Sequence, residues 1–310
     1  RLTNTGGSNV GVGRESGYSG TTHSGSVYIG EQAGYSVTTG NQNIAIGHNA
    51  INGGTVTGDN NIAIGVSSGD ALTSGYENVL AGKDAGGALT TGYWNIAIGT
   101  NALATEDAAV RSIAIGINAL QTQDAGSGTE AYNVAVGYRA GQAVTTGVQN
   151  TFFGVKAGED STTASGSVFI GMDAGNSNTT GNRNIGIGYD AMNGGVVTGD
   201  NNIAIGVSAG DALTSAKTNL IIGYLAGSAI TTGNENTVVG SRALGTATTA
   251  TFNVAIGGDA MFGVPASQAV SGVVAVGLEA LKGTVNTTTD VNNTVAIGNA
   301  ALKNLTSGQG

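Results

Sequence analysis

The residue types most often used for acid–base or metal chemistry are scarce in this chain. Its 310 residues include two histidines and no cysteine. A histidine titrates near neutral pH and can bind a metal through a ring nitrogen. His23 and His48 both stand in turn-like sequence, however, and neither recurs in the rest of the chain's repeated pattern. We therefore predict that both are solvated turn residues and that neither binds a metal.

Aspartates recur more regularly, close to glycine-rich turns. They are Asp59, Asp70, Asp84, Asp173, Asp190, Asp200, Asp211 and Asp259. Calcium between neighbouring turns would need at least ~6 oxygen ligands, and the glycine-rich nonapeptide of calcium-binding β-rolls is absent from the sequence. Paired carboxylates can also hydrolyse glycans, and that alternative stays open although no pair stands apart from the repeat. We predict surface carboxylates that keep the chain soluble, with no metal, no cofactor and no enzymatic activity.

Aromatic residues make up only 5% of the chain, and three of them are candidates for stacking on a bound sugar. They are Tyr93, Trp94 and Phe262. Binding is expected at three segments that lengthen the repeat, Gln121 to Thr129, Phe262 to Ser271 and Lys282 to Asn292. Each follows an Ala-Leu or Ala-Met step, so all three are predicted to emerge on one edge, which is frequently the binding face of a repeat protein. The alternative is that they are tolerated turns without a role.

The element that must position these residues is a short repeat. The pattern Asn-(Ile/Val)-Ala-(Ile/Val)-Gly-x-x-Ala recurs seventeen times, in many copies with substitutions, and its closing glycines are 17 or 18 residues apart, with three longer steps. The clearest copies are Asn43 to Gly47, Asn61 to Gly65, Asn95 to Gly99, Asn133 to Gly137, Asn202 to Gly206 and Asn253 to Gly257. A fixed short period predicts a solenoid. We predict an all-β parallel β-solenoid, or β-roll, of about 17 coils, as one repeat domain over residues 1–310.

Within one coil, the alternation of strand side chains predicts two opposite apolar faces. Ile44 and Ile46 point to one side and Ala45 to the other. A strand that is apolar on both sides is typically buried on both sides, so one face should line the interior and the other should contact identical chains. Which face does which stays open. Gly47 offers a corner with positive φ, a short second strand and a turn complete the coil, and Asn43 is expected to join a ladder of stacked asparagines.

A second period indicates that a block of coils was copied. The segment Asp59 to Ser74 recurs as Asp200 to Ser215 with a single serine-to-alanine change, so residues 14–154 are predicted to be duplicated as 155–298. The net charge of −9 and the scattered basic residues argue against nucleic acid as a partner. No apolar run reaches the ~20 residues that cross a bilayer, so membrane insertion is not expected. Because the sequence starts at Arg1 without a methionine, we expect a piece of a longer chain.

The repeat resembles two known groups of proteins. The segment Thr38 to Ala50 reads Thr-Thr-Gly-Asn-Gln-Asn-Ile-Ala-Ile-Gly-His-Asn-Ala, and Thr179 to Ala191 is nearly the same. Such repeats resemble the head repeats of YadA-like trimeric autotransporter adhesins and, more closely, the repetitive shafts of bacteriophage tail fibres. The resemblance covers essentially the whole chain, although the adhesin repeat is typically shorter. It implies a side-by-side homotrimer in an extracellular, cell-surface or virion fibre that contacts a cell-surface glycan or receptor.

Two other functional classes stay open. An ice-binding solenoid needs a regular outward array of threonines, and here threonine pairs recur in only some coils, at Thr38-Thr39, Thr90-Thr91, Thr145-Thr146, Thr179-Thr180 and Thr231-Thr232. Solenoids whose ends stack on each other form self-assembling extracellular filaments. We expect a structural and adhesive fibre segment, with the filament subunit and the ice-binding protein as alternatives.

Overall fold

The structure is a computed structural model that describes residues 5–108, 110–126, 128–266, 269–283 and 291–305. These residues form 17 parallel β-strands stacked as a solenoid, which confirms the predicted all-β class. They include no helix that is long and apolar enough to cross a membrane. The chain divides into two compact units, which we call unit 1 (residues 1–155) and unit 2 (residues 156–310).

Every strand is three residues long, and within each unit consecutive strands pair in parallel. Unit 1 contains β1 (Val10–Val12), β2 (Val27–Ile29), β3 (Ile44–Ile46), β4 (Ile62–Ile64), β5 (Val79–Ala81), β6 (Ile96–Ile98), β7 (Ile113–Ile115), β8 (Val134–Val136) and β9 (Thr151–Phe153). Unit 2 contains β10 (Val168–Ile170), β11 (Ile185–Ile187), β12 (Ile203–Ile205), β13 (Leu220–Ile222), β14 (Thr237–Val239), β15 (Val254–Ile256), β16 (Val274–Val276) and β17 (Val295–Ile297). The pairing is in register, so that Ala45 of β3 stands opposite Ala63 of β4. Equivalent residues of successive coils therefore form columns.

The middle residue of each strand from β2 to β17 points into the coil. Ala45 is fully buried, whereas Ile44 and Ile46 beside it are half-buried. This assigns the face that the sequence leaves open: the middle position, usually a small residue, lines the interior. The expectation that both faces are buried is not met within the chain, because Ile64 keeps 43% of its surface exposed.

The interior keeps its width by pairing a large residue with a small one. Tyr28 is the middle residue of β2, and a Cβ on Gly34 would lie 2.3 Å from its ring. In the next coil the middle residue is Ala45, and the position equivalent to Gly34 holds the fully buried Ile51. In unit 2 the ring of Phe169 is likewise packed against a glycine. Cores accept exchanges that conserve total volume, so a coil can change its interior residues without changing its cross-section.

The rest of the coil is a series of turns rather than a second strand, which corrects the predicted coil. Gln32 (φ 57°) and Gly34 (φ 61°) adopt left-handed conformations, and this alternation cannot form an extended strand. Their amides still bond to neighbouring coils, from Gln32 N–H to the Arg14 carbonyl at 2.9 Å and from Gly34 N–H to the Ala50 carbonyl at 2.8 Å. Hydrogen bonds therefore join the coils well beyond the strands.

The closing glycine forms the predicted corner. Gly47 has a φ of 134°, a conformation that residues with a side chain rarely adopt. A Cβ on it would stand 2.3 Å from the carbonyl oxygen of Gly65 in the next coil. Its own amide donates to the Ile29 carbonyl at 2.8 Å. Glycine is required here both for the turn and for the close approach of successive backbones.

Candidate functional site

The polar interior of each unit is an asparagine ladder, as the sequence predicts. Oδ1 of Asn61 accepts hydrogen bonds from the backbone and side-chain amides of Asn78, at 3.1 and 3.0 Å. The Asn61 amide donates to Oδ1 of Asn43 at 3.2 Å and to the Gly75 carbonyl at 2.8 Å. In unit 2 the ladder joins Asn184, Asn202, Asn219, Asn236 and Asn253. These buried amides satisfy one another, so the ladder stabilises the coils and is not a ligand site.

The first predicted insertion supplies a missing part of this ladder. Where the repeat has Ser112 in place of asparagine, the buried Gln123 donates to the serine hydroxyl at 2.9 Å and accepts from the Asn133 amide at 2.8 Å. Sequence analysis missed this role, although the signal was present as a glutamine in an insertion that follows a coil without its asparagine. The segment is thus structural in part. Residue 127 of this insertion, 267–268 of the second and 284–290 of the third lie outside the described residues.

Three acidic residues approach one another beside this glutamine. Glu106, Asp107 and Asp124 bring carboxylate oxygens within 4.8 Å of one another. Glu106 is buried, but its carboxylate accepts from the Ala108 N–H at 3.2 Å and from the Gln123 amide at 2.9 Å. The chain itself therefore stabilises this charge, and none of the eight aspartates named from the sequence belongs to the cluster.

The two histidines have different environments, which corrects one prediction. His48 is an exposed turn residue, as expected. His23 is buried, and its ring packs edge-on against Tyr28 with the ring centroids 5.4 Å apart. The space for it comes from Gly20, where a Cβ would lie 1.9 Å from the imidazole. Burial lowers the pKa of His23 because it disfavours the charged ring.

One of the predicted surface aspartates is also buried, in unit 2. The Asp259 carboxylate pairs with Arg242 and with Lys282, each at 2.7 Å. Lys282 pairs in addition with Glu279, which pairs with Lys303. Hydrogen bonds from Lys303 and then Lys282 lower the pKa of Glu279 to about 2, because they stabilise its charged form. We call these five residues the ion network.

Of the three aromatic residues proposed to bind a ligand, the structure brings two together. Tyr93 and Trp94 lie at a turn of unit 1 with ring centroids 4.8 Å apart at an interplanar angle of 80°. Tyr76 of the preceding coil stacks on Tyr93, at 4.6 Å and 6°. The guanidinium of Arg111 lies 4.5 Å from the centre of the Trp94 ring and 5.6 Å from that of Tyr132. We call these five residues the aromatic patch.

Two carboxylates border the aromatic patch and form hydrogen bonds with its members. The Trp94 indole N–H donates to the Glu77 carboxylate, and Arg111 forms an ion pair with Glu130. The Tyr132 hydroxyl also donates to Glu130, at 2.8 Å. Each of these contacts joins side chains on the solvent side of the turn, so the rings are held in fixed positions while Trp94 stays 40% exposed.

Phe262, the third candidate, has a different environment. It is half-buried in unit 2, where Arg242 and Lys282 lie 5.2 and 5.9 Å from its ring centre. Both cations belong to the ion network. The ring is therefore engaged by the chain's own cations, and the structure gives it no neighbouring aromatic residue among those described.

A polar groove of about 620 Å³ lies along the turn column that contains the aromatic patch. Its lining residues are Gly7, Ser8, Ser24, Gly25, Asn41, Gln42 and Asp59. The coil that carries Asp59 bonds directly to the coil of the patch, since the Glu77 N–H donates to the Asp59 carbonyl at 3.0 Å. Groove and patch are thus continuous on one edge of unit 1.

A second surface consists of the outward-facing strand residues. We call the first and third residues of the strands of a unit the outer strip; all are apolar except Thr151 and Thr237. Ile64 and Ile98 in unit 1 and Ile256 in unit 2 are 43%, 39% and 37% exposed. Within each unit, the residues just after the closing glycines form a corner column beside the outer strip. Its exposed apolar members are Val66, Ile117, Tyr138 and Val155 in unit 1, and Met172, Tyr189, Val207, Tyr224 and Leu278 in unit 2. Polar residues interrupt the column, in unit 1 at Arg14, Glu31, His48, Lys83 and Thr100.

The threonine pairs do not form two free columns. In four of the five pairs the first threonine donates its hydroxyl to a carbonyl of the next coil, as Thr38 does to Val56 at 3.1 Å and Thr90 to Asp107 at 3.0 Å. The second threonine, such as Thr39, is exposed. Of these pairs, the second threonines therefore form the outward column within each unit that an ice surface could contact.

No protein-family model matches the chain, and no curated protein matches its sequence.

Proposed function

We propose that the chain is a structural and adhesive segment of a fibre, at a cell surface or on a virion outside the cell, in which three copies pack side by side. The observation that carries the proposal is the apolar outer strip, which is widened in places by the apolar residues of the corner column. A soluble monomer rarely exposes an apolar surface that continues from coil to coil in this way. Burying it against a partner removes that surface from water.

A further copy of the chain is the partner that fits best. The outer strip presents two outward side chains at every coil, nearly all of them apolar, at the strand spacing of about 4.8 Å. Only a surface with the same spacing can contact these side chains in the same way at every coil. Another copy of this solenoid has that period by construction, whereas an ordinary globular surface has none.

A ring of copies can form because each unit has, beside its outer strip, a stretch of exposed apolar corner-column residues: Ile117, Tyr138 and Val155 in unit 1, and Met172, Tyr189, Val207 and Tyr224 in unit 2. Contact between the outer strip of one chain and the corner column of the next joins two different patches. Such heterologous contacts form a ring when the rotation between neighbouring copies closes, and an open helical filament when it does not. A ring of three also agrees with the resemblance of the repeat to trimeric adhesins and tail-fibre shafts.

Light scattering on the purified chain tests the assembly. A mass near three times 30.2 kDa is the expected result. A monomer contradicts the proposal, because the apolar surface is then stable in water without a partner. A polydisperse, much larger species contradicts it in favour of end-to-end filaments.

Two variants connect the assembly to the outer strip. Ile64→Glu combined with Ile98→Glu places charges on exposed positions of the strip, and we expect it to lower the mass toward that of one chain. Thr39→Glu, at an exposed turn position of the same unit, is the matched control and should leave the mass unchanged. Equal masses for both variants would show that the strip is not the interface.

The proposal assigns no catalytic role to the chain. Its polar interior is built from asparagines that satisfy one another, and its buried carboxylate Asp259 is held by two cations. Adhesion needs an exposed surface instead. The structure offers one in the polar groove and the aromatic patch.

A further inference from the structure

We propose that the aromatic patch and the adjoining polar groove bind an extended, uncharged polysaccharide. This inference rests on the adhesive role proposed above, and it adds the ligand class and the edge of unit 1 that holds the ligand. It also moves the binding site away from the three insertions, one of which serves the asparagine ladder.

The aromatic patch presents fixed ring surface to solvent. Trp94 and Tyr132 keep 40% and 42% of their surfaces exposed. Tyr93 on one side and the Arg111 guanidinium on another hold the Trp94 ring in place. The C–H face of a sugar ring can pack on such an aromatic surface, and a side chain that is already ordered loses little entropy on binding.

The charge of the patch favours an uncharged ligand. Arg111 is already paired with Glu130, and Glu77 is a second carboxylate at the same turn. An acidic polymer would meet two carboxylates and one compensated cation, which opposes its approach. Carboxylates accept hydrogen bonds from sugar hydroxyls, and the groove continues this supply of polar groups with Asn41 and Gln42.

Two tyrosines of the patch, Tyr76 and Tyr93, occupy a position that the scaffold uses differently in several other coils. Six residues before the closing glycine, Asn41 accepts a hydrogen bond from the Ser24 N–H at 3.0 Å. At the same position in unit 2, Asn234 accepts from the Lys217 N–H at 2.7 Å. Tyr93 occupies this position in its own coil, and an aromatic ring cannot accept the equivalent bond. Departures from a locally stabilising choice are expected at functional sites.

The copied block provides a comparison inside one chain. From Asp59 to Ser74 the two copies are nearly identical, and they diverge immediately afterwards at the turn edge. Tyr93 and Trp94 correspond to Asn234 and Glu235, so the coil folds equally well without the rings. The aromatic patch is therefore an addition to the scaffold rather than a requirement of it.

The sole tryptophan of the chain lies in the patch, so its fluorescence reports binding directly. The full chain is titrated with three neutral soluble polymers, a mixed-linkage β-glucan, a galactomannan and an arabinoxylan, and with alginate and heparin as acidic polymers. We expect a shift of the emission of Trp94 and slower migration in native gels that contain a neutral polymer. The double variant Tyr93→Asn/Trp94→Glu, which introduces the residues of unit 2, should bind at least ~10-fold more weakly in the gels.

A matched variant in unit 2 controls for general effects. Asn234→Ala/Glu235→Ala alters the equivalent positions there and should leave the slowing of migration by a neutral polymer unchanged, when each variant is compared with itself in a gel without polymer. The inference is overturned if no neutral polymer retards the chain, if only the acidic polymers do, or if both double variants bind equally. A trimer that binds no neutral polymer refutes the inference alone, whereas a monomer that binds one refutes only the proposed assembly.

Discussion

Unit 1 and unit 2 are built from the same type of coil, but the residues at the turns of their coils differ in chemistry. In unit 1, Tyr18 stacks on Tyr35 with the ring centroids 5.1 Å apart. At the corresponding positions of unit 2, the Asn176 amide donates to the Glu159 carboxylate at 3.1 Å. The turn that carries the aromatic patch differs as well, because Tyr93 and Trp94 of unit 1 correspond to Asn234 and Glu235 of unit 2. Contacts from coil to coil are thus kept while the residues that make them are exchanged.

The interior shows the opposite behaviour. Tyr28 in unit 1 and Phe169 in unit 2 are both large rings packed against glycine. Asn61 and Asn202 make the same four hydrogen bonds with the coils on either side. The comparison teaches that interior and closing glycine determine the coil, whereas the turn edge is free to acquire function. Four predictions test this division, from the largest expected effect to the smallest.

The closing glycines should matter most, and equally in both units. Gly47→Ala and its counterpart Gly188→Ala each place a Cβ within 2.3 and 2.6 Å of a carbonyl oxygen in the next coil. Together with the strained φ, this should cost about 4 kcal/mol of unfolding free energy, measured by urea denaturation. Gly54→Ala, where a Cβ would only touch Thr73 at 3.7 Å, is the control and should change stability by less than ~0.5 kcal/mol.

Breaking the asparagine ladder should have the next largest effect. Asn61→Ala leaves the buried Asn78 N–H and the Gly75 carbonyl without their partner. We expect a loss of about 3 kcal/mol, and a similar loss for Asn202→Ala in unit 2. Gln42→Ala at an exposed turn is the control. A small effect in one unit only would show that the two interiors are not equivalent.

Removing the aromatic pair should cost little stability although it removes binding. In Tyr93→Asn/Trp94→Glu the stacking energy is lost, but an asparagine at position 93 can accept a backbone hydrogen bond as Asn234 does. The net change in the urea midpoint should correspond to less than ~1 kcal/mol. A loss as large as that of the ladder variant would mean that the patch is part of the scaffold.

The smallest effect concerns pH and the ion network. The pKa of Glu279 is lowered from its ordinary value of 4.5 to about 2. The charged carboxylate should therefore stabilise the fold above pH 4.5, and this contribution should be lost as the pH falls toward 2. The urea midpoint of Glu279→Gln should therefore lie below that of the wild type at pH 7 and converge with it at low pH.

Asp70 in unit 1 should show the opposite effect. Burial and then the charge of Asp84 raise its pKa, so its charged form destabilises the fold, and Asp70→Asn should raise the urea midpoint at pH 7.

The repeated features of the fold could be predicted from the sequence because similar residues recur at the same positions of successive coils. The strands, the glycine corner and the asparagine ladder depend on neighbours 17 or 18 residues away, and the period itself gives that distance. The inward face of the strand could not be assigned, since Ala45 and Ile44 are both apolar. Their roles depend on the width of the coil, which is decided by pairs such as Ala45 with Ile51.

The single features were harder to predict. His23 is buried because Gly20 leaves room for its ring, and Gln123 serves the ladder because Ser112 does not. Neither feature repeats along the chain, so the 17- or 18-residue period does not predict it. Tyr93 and Trp94 stand out in the sequence as rare aromatic residues, but their partners Tyr76 and Arg111 lie one coil away on either side and become visible only in the fold.

The short parallel pairing of the strands has a consequence for how unit 1 responds to mechanical force. Adjacent coils are held by three-residue ladders, as between β6 and β7, and by turn hydrogen bonds. When the ends of such a stack are pulled, the outermost coil detaches first and its neighbours stay folded. Each detachment frees the 17 residues between Ile96 and Ile113, or their equivalents, which is about 60 Å of extended chain. Stretching would therefore release the chain one coil at a time, in steps of nearly equal length.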